Sequence, residues 1–125
     1  MDEQEFKNRT KKLALRIISL VESLPNTKSA VVIGNQLLRS GTSVGANYRA
    51  ACRAKSTADL IHKLSIVEEE GDESLYWMEL LVAAKIVRET KLAVLMNDMD
   101  EVVSMVVASI KTLRSKQIQN PKSKI

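Results

Sequence analysis

A chain of 125 residues with two prolines and four glycines is the size of one domain with one sizeable core, and its 45% apolar and 27% charged residues exclude a disordered or fibrous class. A single cysteine, Cys52, excludes an intrachain disulfide, and with a single histidine, His62, it leaves too few soft ligands for a zinc site. No apolar run approaches the ~18–20 residues of a bilayer span, and the charged start "MDEQEFKNRTKK" lacks the apolar centre of a signal peptide, so no membrane contact and a cytoplasmic location are expected.

The first apolar series, Phe6, Leu13, Ile17, Val21 and Leu24, steps by three, four and seven residues and stops before Pro25, which predicts a helix over about 4–24. Asn26 and Thr27 offer side-chain oxygens to the free amides of a second helix, expected over about 28–54. Ser56 with Asp59 three residues on has the shape of a capping box, opening a third helix over about 57–88 with the apolar set Leu60, Leu64, Val67, Leu75, Met78, Leu81 and Val82. Leu92, Leu95, Met99, Val103, Val106, Ile110 and Leu113 carry a fourth, about 93–116, and the basic tail 117–125 is expected to fray. "RETKL" before this last helix holds neither Gly nor Pro, so nothing in the sequence marks that boundary sharply. Four amphipathic helices with short connections predict an all-α, up-down-up-down antiparallel four-helix bundle forming a single domain.

The net charge of +4 is unevenly spread. Residues 26–56 carry five basic side chains and no acidic one, whereas 57–91 carry four basic and eight acidic. Within the basic segment, "LLRSGTSVGANYRAACRAKS" looks like a glycine-rich phosphate loop, but Gly34 and Gly41 are too far apart for the P-loop pattern and Thr42 stands where its Lys would be. The dinucleotide pattern fails as well. Wound as a helix at about 100° per residue, Gly34, Gly41, Gly45 and Cys52 fall within about 20° of one line, in the middle of an apolar face. Such a stripe permits close helix contact, at about 0.5–1 kcal/mol per glycine relative to Ala. Gly71 in the third helix is expected to join that contact. Lys28, Arg39, Arg49 and Arg53 form a basic stripe beside the face.

"QLLRSGTSVGANYRAA", followed by "ADLIHKL" and "YWMELL", resembles the core signature of the four-helix bundle proteins encoded in 23S rRNA intervening sequences, also called S23 ribosomal proteins. The resemblance covers nearly the whole chain. It implies a homopentamer without enzymatic activity, and a more distant similarity to the pentameric accessory protein of diversity-generating retroelements, which binds nucleic acid through a basic surface. The ribosomal label reflects gene location and does not make the protein part of a ribosome. Family members often read R-E-A where this chain has Arg49, Ala50 and Ala51, so an acidic partner near Arg49 and Arg53 is missing here.

Two expectations follow for the basic residues. The plainer one is that Arg39, Arg49 and Arg53 pair with the acidic run "EEEGDE" of the third helix, each pair contributing about 0–1 kcal/mol. The functional one is that basic side chains, Arg39, Arg49, Arg53, Lys55 and Lys63, contact the phosphates of RNA or another nucleic acid. A scaffold that presents acidic and basic rims to a protein partner is the rival. Ile66, Trp77, Leu80, Ala84 and Val87 cluster on a second apolar side of the third helix and are read as a subunit interface. Asp59 and His62 mimic half of a di-iron motif whose other half does not exist, so His62 is expected at the surface or in an interface. Neither a catalytic constellation, a metal site, a cofactor nor a small-molecule substrate is expected.

Overall fold

A computed structural model describes residues 2–119. Four helices make up the chain: α1 (Glu3–Glu22), α2 (Lys28–Ala51), α3 (Thr57–Ala83) and α4 (Glu89–Gln119), with no strand among the described residues. Each of the first three begins on a side chain that accepts an otherwise unpaired first-turn amide. Asp2 takes the Glu5 N–H at 2.7 Å, Thr27 takes that of Ala30 at 3.4 Å, and Ser56 takes that of Asp59 at 3.0 Å. Asp59 reaches back one residue beyond the cap, accepting the Lys55 N–H at 3.1 Å.

The helices run antiparallel to their sequence neighbours, as the cross-helix pairs show. Gly34, Gly41 and Gly45 of α2 meet Val21, Ile17 and Thr10 of α1 in descending order. Ser40 and Val44 of α2 meet Ser74 and Gly71 of α3 in descending order, and Gly71 also meets Val103 of α4. Arg9 and Arg16 of α1 reach Glu101 and Asp98 of α4, which closes an up-down-up-down four-helix bundle. α2 against α3 is the most extensive contact, and α1 against α4 is much the thinnest.

Inside lie Leu13, Ile17, Leu37, Val44, Val67, Met78, Leu81, Met99, Val102 and Val106, all but sealed from solvent. Two buried hydroxyls pin α2 to α3: Ser74 donates to the Glu70 carbonyl at 2.8 Å, and its oxygen lies 2.9 Å from that of Ser40. Buried polar groups of this kind cost stability unless paired, and both are.

The glycine stripe faces α1, as its periodicity predicts. A Cβ at Gly41 would stand 2.5 Å from Ile17 Cδ1, and one at Gly45 would stand 3.2 Å from the Thr10 hydroxyl. Gly71 does not share that contact. A Cβ there would meet Val103 Cγ2 of α4 at 2.5 Å, with Val44 only at 3.9 Å, because Gly71 lies on the side of α3 packed against α4.

All four helices depart at one end or both from the expected bounds. α1 and α2 stop at Glu22 and Ala51, the latter because Arg53 and Ala54 bond back to the Ala50 and Ala51 carbonyls in tightened three-residue turns. α3 stops at Ala83 and not at Arg88. Lys85 adopts the left-handed conformation with φ 61°, the Ile86 N–H bonds to the Leu81 carbonyl, and the Lys85 N–H bonds to that of Val82. That is a Schellman motif with lysine where glycine is usual. α4 then begins at Glu89 and runs to Gln119, so residues 117–119 of the expected frayed tail are helical. The rest of that tail, 120–125, lies outside the described residues.

Candidate nucleic-acid interface

The five basic side chains singled out from the sequence divide into two sets. Arg39 sits midway along α2, and its guanidinium bridges Glu70 at 3.2 Å and Glu73, both on α3. Lys63 is held by Asp59 one turn back at 3.2 Å. The Lys55 amide and then the Lys63 ammonium hold the Asp59 carboxyl below its ordinary range, so it stays charged and keeps Lys63 engaged. Pairing with the acidic run is therefore real for Arg39, and it does not extend to Arg49 or Arg53. Those two, with Lys55, are exposed at the C-terminal end of α2 and the α2–α3 turn, and no carboxylate lies within ion-pair distance of them among the described residues.

Arg49 has a different set of neighbours. It lines an open groove of about 470 Å³ between α1 and α2, together with Lys7 and Lys11 of α1. Gly45 and Thr10 lie in the same groove, and Ala14 and Ala46 leave room between the helices. No carboxylate and no aromatic ring lines it. The sequence reading missed Lys7 and Lys11 because Asp2, Glu3 and Glu5 cancel them in a count along the chain. A projection of α1 would have found them: separated by four residues, they lie about 40° apart on the helix surface.

At the same end of the bundle a cavity of about 750 Å³ is lined by Tyr48, Cys52, Leu60, Leu64, Leu113 and Glu3, among others. Burial and the hydrogen bond to Cys52 push the Tyr48 phenol well above its ordinary value. Burial, then the hydrogen bond to Glu3, raises the Cys52 thiol too, which disfavours the nucleophilic thiolate. His62 is exposed and does not line this cavity, although Leu60 and Leu64 on either side of it in α3 do. No group of three or more metal-ligating side chains gathers among the described residues, and no helix is long and apolar enough to cross a membrane.

The second apolar side of α3 keeps three of its five expected members together. Ile66, Trp77 and Leu80 are half-buried and fall within about 80° of arc with Glu70 and Glu73, the two carboxylates that meet Arg39. Trp77 donates its indole N–H to Glu73 at 3.2 Å and packs edge-on against the half-exposed Tyr76. Ala84 is exposed at the helix end. Val87 is corrected outright: it is 8% exposed and belongs to the core, because the left-handed turn at Lys85 swings it off the α3 surface and into the bundle.

The four packed helices place the chain in the class of small all-α four-helix bundle proteins. Residues 2–108 match the family model described as 23S rRNA-intervening sequence protein, and the chain belongs to that family. It is also similar to a solved protein of unknown function from the S23 ribosomal protein family of Bacteroides thetaiotaomicron. The two share 37% identity over 89% of this chain and 99% of that one, with a TM-score of 0.82. Among curated proteins nothing matches the chain.

Proposed function

We propose that this chain is a non-enzymatic homo-oligomer, a pentamer, that binds nucleic acid by its phosphates through basic surface side chains. The observation that carries the reading is the placing of Arg49, Arg53 and Lys55. Three exposed cations gather at one end of α2 without a carboxylate among the described residues, in a bundle that gives Arg9, Arg16, Arg39 and Lys63 such partners. Unpaired cations are drawn to a polyanion because each phosphate contact releases a condensed counterion. A mobility-shift titration with single-stranded RNA over a salt series should give a complex whose log affinity falls linearly with log salt, by about 0.7 for each phosphate neutralised. A protein that forms no salt-sensitive complex would end this reading.

Oligomerisation is supported by the half-buried Ile66, Trp77 and Leu80 on the outer side of α3. Trp77→Arg places a charge on that side while losing one hydrogen bond to Glu73. Sedimentation should then show a smaller particle than the wild type at equal concentration, with the helical signal retained. An unchanged mass would exclude this side as the interface.

A further inference from the structure

The three inter-helix seams that carry charge are built in two different ways. Across α1–α4, Arg9 meets Glu101 at 2.5 Å and Arg16 meets Asp98 at 2.6 Å. Across α2–α3, Arg39 meets Glu70 and Glu73. Both seams set a cation against a carboxylate. The α1–α2 groove sets cations on both walls, Lys7 and Lys11 on one and Arg49 on the other, with no carboxylate lining it. Its one acidic neighbour in contact with these cations, Glu3, lies on α1 and reaches Lys7 only at 3.8 Å. Like charges facing each other across a groove repel, and the repulsion becomes attraction when an anion lies between them.

We infer that this groove seats one strand of nucleic acid, its successive phosphates held between Lys7 and Lys11 on α1 and Arg49 on α2. The inference rests on the nucleic-acid reading above and adds where the strand lies. Lys7 and Lys11 stand about 6 Å apart along the helix axis, on the scale of the step from one phosphate to the next in an extended strand. Gln4 and Asn8 line the same wall and can donate amide N–H groups to phosphate oxygens. The ~470 Å³ of the groove is within the range of ligand clefts, and its lining runs from Gln4 to Ala14 on α1 and from Thr42 to Arg49 on α2, a course along both helices that one backbone can follow. With no aromatic ring in the lining there is nothing to stack a base, so recognition stops at the backbone and is indifferent to base identity.

The test measures binding of fluorescein-labelled oligouridylate and oligoadenylate by anisotropy over a salt series. It compares the wild-type protein, K7Q/K11Q, R53Q/K55Q and Ala46→Glu. Ala46 is an exposed α2 residue that lines the groove, so its replacement puts a carboxylate there without removing a lysine. The two oligonucleotides should bind the wild type alike. K7Q/K11Q should weaken both by at least about tenfold at low salt and flatten the salt slope by about 1.4, or 0.7 for each lysine. Ala46→Glu should weaken both while leaving the melting temperature close to wild type. A wild type that binds neither strand removes both the groove and the general reading. Binding that survives K7Q/K11Q and Ala46→Glu but falls in R53Q/K55Q overturns the groove alone. Tighter binding of a duplex, or saturable uptake of inorganic phosphate that competes with the strand at matched ionic strength, would overturn the assignment to a single strand.

Discussion

Ile17→Ala should destabilise the bundle by about 2–5 kcal/mol, read as the free energy of urea unfolding. Ile17 is fully buried, and its side chain fills the notch that Gly41 leaves on α2, with Cδ1 at 2.5 Å and Cγ2 at 3.2 Å from where a Cβ would stand. Truncation therefore empties space on both sides of the α1–α2 contact. The coupling to Gly41 makes the argument specific. In the wild type, Gly41→Ala drives a methyl into Ile17, and the overpacking outweighs the ~1 kcal/mol that Ala gains over Gly in a helix. In the Ile17→Ala background the same methyl enters the vacated space. Gly41→Ala should thus change sign, destabilising the wild type and stabilising the truncated protein. Equal effects in the two backgrounds would show that the notch and its filler are not a pair.

Gly71→Ala should destabilise by about 1–3 kcal/mol, more than the same change at Gly34. At Gly34 the obstructing atom is Leu24 Cδ1 at 2.9 Å, the end of a flexible and only half-buried side chain that can swing aside. At Gly71 it is Val103 Cγ2 at 2.5 Å. A valine within a helix is confined almost wholly to one rotamer, so Val103 yields only if α4 moves. Met99 Sδ at 3.7 Å and Val44 Cγ2 at 3.9 Å stand close around the same point and leave little room for that movement. Val103→Ala should relieve most of the clash. If Gly71→Ala cost as much with Val103→Ala as without it, the cause would lie in the backbone of α3 and not in the packing against α4.

The glycine line of α2 was legible in the sequence because periodicity is a property of local geometry: once the segment is helical, Gly34, Gly41 and Gly45 must share a face. The end of α3 was not. Lys85 terminates that helix by adopting a positive φ, and lysine gives no warning of it, whereas Gly or Asn would have. The misplacing of Val87 follows directly, since a residue projected onto a helix that has already ended is assigned to a face it does not have. The basic residues were half legible. Counting charges along the chain found Arg39, Arg49 and Arg53 but could not say that Arg39 is satisfied by α3 and Arg49 is not, because that depends on which helix lies on which side. Lys7 and Lys11 do not stand out in a charge count, because Asp2, Glu3 and Glu5 lie beside them in sequence. Asp2, one of these carboxylates, is committed to capping α1.

The thin contact between α1 and α4 has a consequence for how the molecule opens. α2, α3 and α4 are joined in series by broad interfaces, and α1 is attached to that series mainly along one side, by the α2 notches. On its other side it is tied largely by Arg9–Glu101 and Arg16–Asp98, partly exposed pairs that salt screens. The backbone amides of α1 should exchange with solvent deuterium through a partial opening that leaves the other three helices closed, at a lower free energy than global unfolding. Added salt would deepen that difference, so the helix that carries Lys7 and Lys11 is also the one whose attachment responds most to ionic strength.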